Sequence, residues 1–378
     1  MLGKPDLSGA PSGTSSASLG RQPNRRPPES EPSTVPSSRV LVAALAAATL
    51  ALSACGGTAP ETSEQPAAPA DDWTPVTIEH ALGTTVVETR PERVATVDFA
   101  NQEVPLALGI VPVGMAKMTW GDDDGDGIQP WTEEKLAELG GETPVLFDET
   151  DGYDFEAVAG TDPDVILAGY SGMTPEDYAT LSEIAPVVAY PDDPWATAWR
   201  DSIAINAKGL GMEEEGQQLV AELEQTIADA AAQHPQLEGA NGMFMTHVDP
   251  TDLSEINFYS AADTRSQYFD DLGMQTAPSI VEASGDSGSY SGSISTERAD
   301  ELADVDVIVT YGGQELVDAL KGDPVLSQLP AVENDAIVNL DGTQPIGTAA
   351  NPTALSIPYL IEDYTALLAE AVSRTADQ

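Results

Sequence analysis

Asp162-Pro163-Asp164-Val165-Ile166 returns later in the chain as Asp304-Val305-Asp306-Val307-Ile308. Each copy follows a short helical stretch, and each runs on into a tyrosine, Tyr170 or Tyr311, followed at once by Ser171 or Gly312. Beyond them come Leu181-Ser182-Glu183-Ile184 and Leu326-Ser327-Gln328-Leu329, both leading to a further apolar run. A short apolar run bounded by turn residues reads as a buried strand. One strand-and-helix unit present twice predicts two similar α/β lobes with a cleft between them.

Outward from the repeat, short apolar runs alternate with amphipathic stretches, the pattern of mostly parallel sheets. Val94 to Val97 reads as a strand, Asn101 to Gly109 as a helix closed by Gly109, and Val111 to Met115 as the start of the next strand. Phe155 to Ala159 and Pro175 to Ile184 read as helices, Asp164 to Ala168 and Val187 to Tyr190 as strands. Between the halves, the chain from Trp195 to His234 is helix-forming, interrupted at Gly209-Leu210-Gly211 and ended by His234-Pro235. Leu219, Val220, Leu223, Ile227 and Ala231 have helical spacing. The expected organisation is an N-terminal lobe over 73–195, a helical bridge over 196–234 and a C-terminal lobe over 235–378. A helical bridge is stiff, so the expected opening and closing is small.

The run from Val40 to Leu52 follows Arg39 and leads into Leu52-Ser53-Ala54-Cys55. It is shorter than the roughly 20 apolar residues of a membrane span. A cationic start, a short apolar core and small residues at the cut describe a secretory signal. Leu52-Ser53-Ala54-Cys55 resembles the bacterial lipobox, which implies lipidation of Cys55, the only cysteine of the chain. Residues 1–54 are then removed as the signal region, and 55–72, rich in Gly, Pro, Ala, Thr and Glu, form a flexible tether. The product is expected outside the cytoplasm, lipid-anchored to the outer face of the cell membrane. Arg25-Arg26 leaves twin-arginine export open beside the general route.

The whole chain has a formal net charge of −48. Five of its 15 basic residues precede Cys55, leaving ten beyond it. Such a surface repels nucleic acid and anionic lipid headgroups. Histidine is scarce, with only His80, His234 and His247. That argues against proteins that capture bare zinc or manganese through several nitrogen ligands.

The chain resembles the iron-siderophore substrate-binding proteins of ABC importers. The resemblance rests on Arg90-Pro91-Glu92-Arg93-Val94-Ala95-Thr96-Val97-Asp98 and Ala107-Leu108-Gly109-Ile110-Val111-Pro112-Val113-Gly114. It continues through Phe155-Glu156-Ala157-Val158, the run from Asp162 to Ala168, Leu181 to Val188, and Leu329-Pro330-Ala331-Val332, spanning about residues 76 to 370. The implied fold is two Rossmann-like lobes with mostly parallel sheets, bridged by a long α-helix, with the ligand cleft between them. The implied function is capture of a ferric siderophore and delivery to an ABC permease and its ATPase by a monomer with no catalytic step and no intrinsic cofactor. A binder of cobalamin or haem, and a surface hydrolase, are the alternatives.

Ligands of α/β units sit beyond the carboxyl ends of the strands. That places Trp120, Tyr170, Trp195, Tyr259 and Tyr311 around the cleft, with Trp131, Trp199 and Tyr290 as further aromatic candidates. Aromatic walls suit a bulky chelate. Among the basic residues Lys117, Arg200, Arg265 and Arg298 are cleft candidates, Arg200 and Arg265 first. A guanidinium offers a planar fork of donors to iron-bound hydroxamate or catecholate oxygens. The resemblance also implies an acidic permease-docking residue on each lobe, at Glu176 and Glu297.

Asp122, Asp124, Asp126 and Glu133 fit the spacing of a calcium loop, although Gln129 and Pro130 depart from the usual pattern, so calcium is a possible ligand there. Gly285-Asp286-Ser287-Gly288 is similar to a serine-protease segment, and Gly169-Tyr170-Ser171-Gly172-Met173 to a broken nucleophile elbow. A triad needs a base within reach of the serine. No histidine lies in such a context, and no enzyme is expected.

Overall fold

The computed structural model describes residues 73–246, 248–285 and 289–376. The signal region, Cys55, the tether, His247 and Ser287 lie outside them. Among the described residues no helix is long and apolar enough to cross a membrane.

The described chain enters through a hairpin of β1 (Val76–His80) and β2 (Gly83–Val87). Its alternate residues Ile78, His80, Thr85 and Val87 are buried, the period-two pattern of a sheet with one covered face. The first lobe then alternates β3 (Val94–Thr96), α1 (Glu103–Ala107), β4 (Gly114–Ala116), α2 (Pro130–Leu139), β5 (Val145–Phe147), α3 (Phe155–Gly160), β6 (Val165–Leu167), α4 (Pro175–Leu181) and β7 (Val187–Val188). Its strands lie in the order β5-β4-β3-β6-β7, every pairing parallel. β3, β4, β6 and β7 are buried throughout, which is why they read as continuous apolar runs rather than alternating ones.

The break at Gly209-Leu210-Gly211 is where α5 (Trp199–Gly209) ends, and α6 covers Glu213–Ala232 as its spacing predicts. The two form a helical hairpin, Gly216 of α6 lying so close to Ala207 of α5 that a Cβ there would stand 2.5 Å from the alanine methyl. Trp73 packs against Gly211 in the break and donates to Val87 O at 3.3 Å.

The second lobe comprises β8 (Asn241–Met245), β9 (Glu255–Tyr259), α7 (Thr264–Asp271), β10 (Gln275–Thr276), α8 (Pro278–Ser284), β11 (Ser291–Ser295), β12 (Val307–Thr310), α9 (Gln314–Gly322), α10 (Pro330–Glu333), β13 (Ile337–Asn339) and α11 (Ser356–Ala376). Its order is β11-β9-β8-β12-β13, with β10 beside the start of β8. β8, β10, β12 and β13 pair in parallel, while β9 and β11 are antiparallel.

The repeat occupies equivalent places, since β6 and β12 each stand one strand in from a sheet end. Asp164 accepts from the backbone N–H groups of Glu92 (2.8 Å) and Arg93 (3.0 Å) just ahead of β3. Asp306 accepts from Asn241 N at the start of β8 (2.8 Å). In both lobes the aspartate N–H donates back at 2.9 Å, to Arg93 O and to Asn241 O. One side chain thus ties two neighbouring strands at the same point twice over.

The lobes share core. Val104 and Trp131 of the first lobe and Trp199, Ile203 and Ala207 of α5 belong to the same apolar cluster as Phe244, Phe258 and Leu368. The segment from Asp341 to Ser356, between β13 and α11, forms a strap against the first lobe. Gly121 N donates to Gly342 O (3.0 Å), and Leu355 N to a Glu103 oxygen (2.7 Å).

Candidate functional site

The second lobe presents a cationic, aromatic face. Asp263 caps α7, accepting from Arg265 N at 2.9 Å, and the turn brings the Arg265 side chain back over its own cap. Nη1 donates to both Asp263 oxygens at 3.1 Å, and Nε donates to the Tyr311 hydroxyl at 3.1 Å. The guanidinium carbon stands 4.2 Å from the centre of the Tyr259 ring, within cation–π range. Burial works against the Arg265 charge, but Asp263 and then Tyr311 and Tyr259 outweigh it and carry the pKa well above the usual value. With 16% of its side chain exposed and Nη2 outside these bonds, Arg265 is a fixed cation with donors to spare.

The first lobe offers Tyr170, Trp195 and Phe99. Asn101 holds Tyr170 by its backbone, donating to Tyr170 O (2.8 Å) and accepting from Tyr170 N (3.0 Å). Asn206 of α5 donates to the same Asn101 oxygen at 2.9 Å. Trp195 meets Tyr170 edge-on at 5.4 Å and lies on Gly172, where any side chain would collide with the indole. Phe99 meets Tyr170 from another side at 6.3 Å. Asp98, Ala100 and Trp195 have φ of 60°, 62° and 60°. Non-glycine residues held there cost of order 1–3 kcal/mol each, and such strain gathers at ligand-handling loops.

Between the two faces runs a seam. Asn351 of the strap accepts from the Thr264 hydroxyl (3.0 Å) and reaches the Tyr170 hydroxyl (3.5 Å). A void of about 20 Å³ opens beside them, bordered by Thr197, Trp199 and Ser202 as well. Further along, the Trp120 ring meets Tyr311 edge-on at 5.1 Å, and its Nε1 donates to Gly347 O of the strap at 3.1 Å.

Tyr170, Trp195, Trp120, Tyr259, Arg265 and Tyr311 are thus brought together, and Tyr290 lies at the same end of the antiparallel β9–β11 pair as Tyr259, its carbonyl accepting from Ser260 N at 2.9 Å. Other predicted residues lie elsewhere. Arg200 forms a bidentate pair with Asp271 (2.9 and 3.0 Å) and a bond to Glu224 (2.6 Å). Trp199 lies under that guanidinium and donates to Asp271 at 2.9 Å. This is a strut between α5, α6 and α7, and its fork of donors is already engaged by carboxylates. Trp131 is 3% exposed and donates to Glu103 at 2.7 Å, so it is a buried interlobe residue. Arg298 is exposed and paired with Glu301 at 2.7 Å. Lys117 is exposed, its stem lying along Gly127.

Asp122, Asp124 and Asp126 can each bring one carboxylate oxygen within 4.8 Å of the others. The loop leads directly into α2, whose first turn carries Glu133. Desolvation and then Asp126 and Asp124 raise the Glu133 pKa. Glu176 and Glu297 are exposed in the first turns of α4 and of the 3-10 segment Thr296–Leu302. The sequence does not single out Phe99, Asn351 or Glu103. Phe99 follows the carboxyl end of β3, so the strand-end rule covered its position. Asn351 and Glu103 carry no comparable signal.

The model of the family described as "Periplasmic binding protein" matches residues 94–343. The crystal structure of PiaA from Streptococcus pneumoniae TIGR4 in complex with ferrichrome is similar at a TM-score of 0.75 and 43% identity, covering 79% of this chain and 99% of that one. The ferric-anguibactin-binding protein FatB of Vibrio anguillarum is 25% identical over 75% of this chain and 85% of its own length. The "Probable siderophore-binding lipoprotein YfiY" of Bacillus subtilis is 29% identical over 154 residues, 40% of this chain and 44% of the relative's length. Two α/β lobes joined by helices, a cleft lined from both sides and a family match over most of the described residues lead to one conclusion: the chain belongs to the periplasmic binding protein family.

Proposed function

We propose that this chain captures a ferric siderophore between its lobes and delivers it to the permease of an ABC importer. The observation that carries the reading is Arg265, a buried-side cation locked by Asp263 and Tyr311 and stacked on Tyr259, facing the seam from a lobe of aromatic character. Iron-bound hydroxamate or catecholate oxygens are acceptors with negative character, which a guanidinium matches. Tyr170 and Tyr311 are kept in their neutral, donating form by burial, which raises both pKa values despite the opposing pull of Arg265. Phe99, Trp195, Trp120, Tyr259 and Tyr290 supply apolar cover for the organic shell. The ferrichrome complex of PiaA supports this chemistry.

In this reading Cys55 carries the lipid anchor outside the cytoplasm, the protein acts as a monomer, and Glu176 and Glu297 meet basic residues of the permease. Titration of the purified protein with ferric hydroxamates, ferric catecholates, ferric citrate, haem and cobalamin, followed by tryptophan fluorescence, tests the ligand class. Saturable quenching by a ferric siderophore is expected. Saturation by haem or cobalamin alone would overturn the reading.

A further inference from the structure

We infer that Trp120 seated on Gly342 is the gate of the ligand cleft, with Gly342 the residue that sets whether the gate can shut; this rests on the siderophore reading above. The indole belongs to the loop after β4, and its seat belongs to the strap of the other lobe. A Cβ built on Gly342 would fall 2.1 Å from the Trp120 ring, so the ring rests directly on the glycine backbone. Nε1 donates to Gly347 O (3.1 Å), and the next residue, Gly121, donates through its N–H to Gly342 O (3.0 Å). The other edge of the indole stands against Tyr311, whose hydroxyl accepts from Arg265. Trp120 therefore covers the flank of the arginine site while being held by the opposite lobe.

The contacts along the strap are unequal. At its far end Glu103, fully buried, accepts from Leu355 N and Ser356 N at 2.7 and 3.3 Å. At the near end Trp120 is half-buried, and its Nε1 bond to Gly347 O joins two neutral groups. A buried carboxyl accepting several N–H groups is the firmer of the two. The void beside Tyr170 and Asn351 is about 20 Å³, too small for a chelate, since sites for small molecules take roughly 300–1,000 Å³. Trp120 lies over the flank of Arg265, so a bulky chelate that reaches this arginine displaces the indole from its seat.

Gly342→Ala tests this. Gly342 is not among the residues of positive φ, so alanine fits the backbone and adds only the methyl that evicts the indole. In ligand-free protein, acrylamide quenching should rise in Gly342→Ala, with Trp73, Trp131, Trp195 and Trp199 as a constant background. Association with a ferric trihydroxamate should be several-fold faster. Gly322→Ala, where nothing lies within 4 Å of the added methyl, should match wild type in both. Trp120→Phe, which removes the bond to Gly347 and keeps an aromatic ring, should also speed association and serves should the alanine variant fold poorly. Unchanged quenching in Gly342→Ala overturns the seat. Raised quenching with unchanged association in both variants overturns the gate. A wild-type protein that binds no ferric chelate sinks the ligand reading instead, and the quenching difference tells that failure apart.

Discussion

Glu103 of the first lobe accepts the N–H of Leu355, at the entrance to α11 of the second, at 2.7 Å. The same carboxylate takes Trp131 Nε1 at 2.7 Å and Ser356 N at 3.3 Å. A buried donor left without its acceptor costs about 1–3 kcal/mol. Glu103→Ala should therefore lose about 2–4 kcal/mol in urea unfolding, and Glu103→Gln, which keeps one acceptor oxygen, less. Burial, opposed by these bonds, raises the Glu103 pKa above the ordinary 4.5. Above that value the folded protein holds a proton that the unfolded chain has released. The group's contribution is therefore full below 4.5 and falls as pH rises through the folded value. The stability difference between wild type and Glu103→Gln should follow this trend.

Asp164 and Asp306 do the same work in the two lobes. Asp164→Ala and Asp306→Ala should each lower stability by about 1–3 kcal/mol. Because the sites share no partners, the double variant should show nearly the sum. Chemical denaturation of the single and double variants checks this, and a large departure from additivity would count against two independent ties.

Arg265→Ala should weaken ferric siderophore binding by about ten- to hundredfold, since hydrogen bonds to charged groups contribute about 1.5–3 kcal/mol. Arg265→Lys should recover only part, because an ammonium cannot reproduce the fork or the stacking on Tyr259. Fluorescence titration reads both. Wild-type affinity in the alanine variant would remove the guanidinium from the ligand's contacts.

Arg200→Ala should behave in the opposite way. Its side chain is 36% exposed, and its partners are Asp271 and Glu224. Screening limits such a strut to about 1 kcal/mol. A modest fall in melting temperature with unchanged siderophore affinity is expected. A tenfold loss of affinity at unchanged stability would return Arg200 to the cleft.

Much of this was legible in the sequence because it is local. The apolar runs of β3, β6, β7 and β12 and the periodicity of α6 depend on neighbours a few residues away. Tyr170, Tyr259 and Tyr311 could be placed because cleft residues follow strand ends, and Arg265 because so few basic residues stand beyond Cys55. Arg200 and Trp131 could not, since their partners Asp271 and Glu103 lie far along the chain and only the folded lobes bring them near. The antiparallel β9–β11 pair was equally hidden, with the whole of α7, β10 and α8 between its strands.

That pair touches the parallel part of its sheet at one rung, Met245 against Phe258, with Thr246 N donating to Asn257 O beside it. Phe258 is fully buried and anchors the pair, while Tyr259 and Tyr290 stand together at the end that leads into α7. Tyr259 in turn packs edge-on against Phe244 of β8, with ring centres 5.3 Å apart. A change at Tyr259 is therefore felt by the parallel core as well as by the ligand face, so the recognition surface and the sheet beneath it are built as one piece.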